Sequence, residues 1–85
     1  MQLLLVEDDA LLGAGLRAAI GKAGFNVTWV KDGKAALDAL EAHEFVAMVL
    51  DVGLPKISGT EVVRSLRAKN NPIPCLLYTS PSPRD

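Results

Sequence analysis

The chain has 85 residues, 49% apolar and 22% charged, with a formal net charge of -1. That is the balance of one small globular domain with thin stability, and it lacks the global field that draws a protein to nucleic acid or an anionic membrane. A single cysteine, Cys75, excludes a disulfide framework and fits a reducing compartment. Met1-Gln2-Leu3 has no basic n-region. No apolar run approaches the roughly 18 residues of a membrane span, so the cytoplasm is the expected location.

Strand and helix patterns alternate along the chain. Leu3 to Val6 is a short unbroken apolar run, the pattern of a strand covered on both faces. Leu12, Leu16, Ile20 and Ala23 follow at helical spacing, with Ala19 on the same face, and Gly24 is a typical helix-ending glycine. Phe25 to Val30 alternates and is rich in aromatic and β-branched residues, which predicts a second strand. Asp32-Gly33 reads as a turn, and Ala36, Leu37 and Leu40 as a short helix. Phe45 to Leu50 predicts a third strand, followed by a loop marked by Gly53 and Pro55. Ser58 and Glu61 form a capping-box pattern. It opens a helix with Val62, Val63 and Leu66 inward and Arg64, Arg67 and Lys69 outward. Asn70-Asn71-Pro72 ends that helix, and Ile73 to Thr79 predicts a fourth strand. A βαβαβαβ order implies a parallel sheet with right-handed crossovers. The two Ser-Pro pairs between Ser80 and Asp85 predict a disordered tail.

Acids stand at the ends of two of these strands. Glu7-Asp8-Asp9 follows the first run and Asp51 follows the third. In neighbouring parallel strands both sets emerge at the same sheet edge, where open α/β sheets bind ligands. Two carboxylates about 5 Å apart repel by roughly 3 kcal/mol at an effective dielectric of ~20. A converging set therefore weakens the fold unless a hard cation such as Mg²⁺ joins it. Helix capping is the alternative for Asp8 or Asp9.

Leu5-Val6-Glu7-Asp8-Asp9, together with Leu50-Asp51-Val52-Gly53-Leu54-Pro55 and Gly59, resembles the receiver domain of bacterial two-component response regulators. The form of both motifs is most similar to the winged-helix transcription factor subfamily. The resemblance covers residues 1–79 and implies a flavodoxin-like, doubly wound α/β fold with strand order 2-1-3-4-5, here lacking the last strand and last two helices. It implies that Asp51 is the phosphoacceptor for a sensor histidine kinase. It implies Mg²⁺ on Asp8, Asp51, the Gly53 carbonyl and Glu7, the last directly or through water. Asp9 is expected to cap the first helix, and Pro55 and Gly59 to shape the loop. Thr79 falls where the family carries a switch hydroxyl. The family's phosphoryl-pairing lysine has no counterpart, since Lys31, Lys34 and Lys56 read as solvated charges. Residues 80–85 are expected to be non-native. The implied parent is a non-enzymatic regulator that dimerises on phosphorylation and reaches DNA only through a separate effector domain. The incomplete domain is expected to self-associate, without membrane contact.

Two other readings stay open. An aspartate-nucleophile phosphatase or hydrolase of similar architecture usually has a second acid two residues after the nucleophile, a position held here by Gly53. A pseudo-receiver that only mediates interactions is at odds with the intact Glu7, Asp8 and Asp51. His43 reads as a surface residue, Cys75 as a buried small apolar one, and Trp29 as core or edge packing. Gly13 and Gly15 lie inside a helix pattern and do not form a phosphate loop.

Overall fold

The first apolar run becomes the most buried strand, as expected for a segment with no polar face. In the computed structural model, which describes residues 1–54 and 56–79, it is β1 (Gln2–Val6). The chain continues through α1 (Ala10–Lys22), β2 (Asn26–Val30), α2 (Gly33–Ala42), β3 (Ala47–Asp51), α3 (Gly59–Ala68) and β4 (Cys75–Tyr78). All four strands are parallel in the order β2-β1-β3-β4. This is the expected doubly wound arrangement through its fourth strand. The register sets Val6 beside Leu50, so Glu7 and Asp51 follow at the same sheet edge.

Alternation along the strands divides the apolar residues between two faces. Leu4, Val6, Met48 and Leu50 join Ala36, Leu54, Val62, Leu66 and Ile73 in one buried cluster beneath α2 and α3. Leu3 and Leu5 face the other way, toward α1. There Leu12, Leu16 and Ile20 are only half-buried, and the expected companions Ala19 and Ala23 are exposed. The α1 stripe is therefore narrower than its spacing predicts, because α1 packs mainly over β2 and β1, and among the described residues no second helix lies beside it on that face.

Strand ends differ from the predicted spans by one or two residues. β2 starts at Asn26 rather than Phe25, and β3 at Ala47 rather than Phe45. β4 begins at Cys75 rather than Ile73, since Pro72 and Pro74 have no N–H to give a ladder. The Ile73 N–H instead donates to Asn71 Oδ1 at 3.1 Å. Asp32-Gly33 is not a free turn. Asp32 caps α2 by accepting from the Ala35 N–H at 2.8 Å, and Gly33 is its first residue. Cys75 is half-buried rather than buried, near the Arg67 guanidinium. The proposed tail at Ser80–Asp85 and the loop residue Pro55 lie outside the described residues. None of the described helices is long and apolar enough to cross a membrane.

Candidate functional site

The carboxyl edge of β1 and β3 brings Glu7, Asp8 and Asp51 together. One carboxylate oxygen from each lies within 4.8 Å of the others. Glu7 and Asp51 are fully buried and Asp8 is half-buried. Asp9 turns away to cap α1, its Oδ1 accepting from Leu11 and Leu12 N–H at 2.9 and 3.2 Å. The triplet thus divides between two acids for the cluster and one for the helix.

Local folding explains how Asp51 is presented. Its Oδ1 accepts the Gly53 N–H at 3.0 Å, closing a tight turn immediately after β3. Gly53 itself is exposed at the rim of the cluster. The loop returns through Ser58, whose capping box with Glu61 starts α3. Gly59 then lies against β3. A Cβ there would sit 2.6 Å from the Asp51 carbonyl oxygen, so glycine permits the backbone contact that closes the loop.

Burial pushes the Glu7 carboxyl above its ordinary 4.5, opposed by hydrogen bonds from Tyr78 and the Asp9 N–H and reinforced by the Asp51 charge and a side-chain hydrogen bond with Asp8. Glu7 Oε2 accepts the Asp9 N–H at 2.9 Å, and Oε1 accepts the Tyr78 hydroxyl. Burial and the bond to Glu7 drive the Tyr78 phenol far upward, so it remains protonated and a donor. Tyr78 was not anticipated as part of the site. Its place near the end of β4 was legible in the sequence, but its position beside Asp51 comes from the strand register. Thr79 is exposed just past β4.

The donor set fits a hard divalent cation. All three side chains offer carboxylate oxygens, and their mutual repulsion falls when a cation joins them. Mg²⁺ takes oxygens at about 2.1 Å and retains several waters. A 4.8 Å spread among carboxylate oxygens suits an ion that is partly hydrated.

The comparisons agree with this geometry. The response regulator receiver domain profile matches residues 3–85. The chain is 49% identical over 80 residues to the response regulator protein PmrA of Pseudomonas aeruginosa, and 42% identical over 80 residues to the transcriptional regulatory protein QseB of Haemophilus influenzae. Each match covers 94% of this chain but 36% of the relative, so the chain spans about a third of their length. It also superposes on a structure of the histidine kinase ThkA in complex with the response regulator protein TrrA. That match has a TM-score of 0.86 and 26% identity, and covers 99% of this chain and 73% of that one. With the profile spanning nearly the whole chain and the acids gathered at the predicted sheet edge, the chain belongs to the response regulator receiver domain family.

Proposed function

We propose that this chain accepts a phosphoryl group on Asp51 from a sensor histidine kinase, in a Mg²⁺-dependent reaction. The observation that carries this reading is the convergence of the Glu7, Asp8 and Asp51 oxygens at the carboxyl edge of the sheet. Mg²⁺ held by Asp8, Asp51, the Gly53 carbonyl and Glu7, with waters between where needed, would neutralise charge between the acceptor and an anionic donor. An Asp51 oxygen attacks phosphorus as the bond to the donor's histidine nitrogen breaks, and an acyl phosphate forms. The Gly53 N–H orients the attacking carboxylate through Oδ1. Glu7, with a hydrogen bond on each oxygen, is suited to hold the ion through water.

The chain acts here as an acceptor in signal transfer rather than as an enzyme. Gly53 two residues past Asp51 offers no general acid, which disfavours the hydrolase alternative. The fuller regulator works in the cytoplasm, dimerises when phosphorylated, and controls transcription through a DNA-binding effector domain. Similarity to QseB, a transcriptional regulatory protein, supports that output, and similarity to TrrA, held in complex with the histidine kinase ThkA, supports a kinase partner. Thr79 serves as the switch hydroxyl in the completed domain.

Incubation with acetyl phosphate and Mg²⁺, followed by intact-mass spectrometry, tests the assignment. The wild-type chain should gain one phosphoryl group, and Asp51→Asn should gain none. Equal labelling of the variant would sink it.

A further inference from the structure

We infer that Trp29 is a positioning residue for the acidic cluster, acting through the Glu7–Asp8 peptide; this rests on the proposed Mg²⁺ site. The main-chain groups of Glu7 lie just beyond the β1 ladder. Its N–H donates to the Val30 carbonyl at 3.0 Å. Its carbonyl accepts from the Trp29 indole Nε1–H at 2.9 Å. Both main-chain groups of Glu7 are therefore held from β2, one by backbone and one by a side chain. The carbonyl belongs to the peptide that leads into Asp8. A rotation of that peptide swings the Asp8 Cα–Cβ direction, so the indole bond fixes where the Asp8 carboxylate points.

The indole is itself held. Gly13 of α1 lies under the ring so closely that a Cβ there would fall 2.1 Å from Cζ2. The Arg17 guanidinium and the Lys31 ammonium lie 5.4 and 5.5 Å from the ring centroid, within cation–π reach. Trp29 thus ties the end of β1 to the first half of α1, the helix capped by Asp9. Groups that orient metal-bound side chains from behind commonly change metal affinity on the order of 10-fold or more when lost.

The test is a Mg²⁺ titration of the 85-residue chain followed by amide and indole resonances. In wild type, the Trp29 indole N–H should shift with the same midpoint as the Glu7, Asp8 and Asp51 amides. Replacement of Trp29 by β-(3-benzothienyl)alanine keeps the ring volume and removes only the donor. The folded fraction of that protein should bind Mg²⁺ on the order of 10-fold more weakly, and Trp29→Phe should do the same with an added loss of melting temperature. A merely structural tryptophan would lower the melting temperature in Trp29→Phe and leave the Mg²⁺ midpoint unchanged. Unchanged affinity in the benzothienyl protein, or an indole resonance that does not move at saturating Mg²⁺, would overturn the inference. A wild-type chain with no Mg²⁺-dependent shift at Glu7, Asp8 or Asp51 would remove the metal site itself and this inference with it.

Discussion

Glu7 shows how one residue meets two conflicting demands. It is fully buried, and burial favours its protonated form. Its folded pKa lies above the ordinary 4.5, so its contribution to stability is fully present below that value and is lost as pH rises through the folded one. Without metal, this group should therefore make the chain less stable at pH 7 than near pH 5. Glu7→Gln removes the ionisable group. An amide can still accept the Asp9 N–H through oxygen and donate to the Tyr78 hydroxyl oxygen through nitrogen. Urea unfolding in a chelator should show the variant more stable than wild type at pH 7 and nearly level with it at pH 5. Added Mg²⁺ should stabilise wild type more than the variant. A wild-type curve that rises toward pH 7 in chelator, and is unchanged by Glu7→Gln, would contradict this account.

The elements around the site depend on close backbone approach and on caps. The contact of Gly59 with the Asp51 carbonyl joins the start of α3 to the end of β3. Both sides of it are backbone, so an added methyl cannot be relieved by a rotamer change. Gly59→Ala should destabilise the fold by about 1–3 kcal/mol, the usual effect of overpacking. Because the displaced carbonyl belongs to Asp51, the variant should also bind Mg²⁺ more weakly. A urea midpoint and a Mg²⁺ titration check the two effects separately. An unaltered midpoint would show that the loop moves aside without strain.

The whole molecule is unevenly covered. Among the described residues, α2 and α3 close one sheet face over a fully buried cluster, while α1 is the helix that lies against the other. Among the described residues, β4 is an edge strand with Leu76 64% and Leu77 38% exposed. The Pro74 carbonyl accepts from Met48 of β3 and the Tyr78 carbonyl from Val52 just past it, so alternation turns the peptide groups of Cys75 and Leu77 outward. Ile73 to Tyr78 carries no charge to oppose pairing with another chain. A second copy can pair antiparallel about Leu76, with Cys75 of one chain opposite Leu77 of the other. Sedimentation velocity should show concentration-dependent association, and Leu76→Lys should shift the population toward monomer. A wild-type monomer across the concentration range, with a sharp melt, would refute this.

The sequence by itself determined the alternation of elements, the parallel sheet and the meeting of Glu7 and Asp51 at one edge. Unbroken apolar runs such as Leu3–Val6 specify buried strands, and an acid at the end of such a run must emerge where the run does. Asp9 as helix cap and Ser58 with Glu61 as capping box were legible for the same reason, because those interactions span two or three residues. Only the tertiary structure decided which distant side chains complete the site. The Tyr78 hydroxyl reaches Glu7 across 71 positions, and the Trp29 indole reaches the Glu7 carbonyl across 22. Local periodicity assigned Trp29 to packing and passed over Tyr78, since a period gives the face a residue occupies but not the atom it meets. The exposure of Ala19 and Ala23 was hidden likewise. Helical spacing marks Ala19 and Ala23 as inward, but burial requires a partner surface, and the sheet beside α1 leaves them exposed.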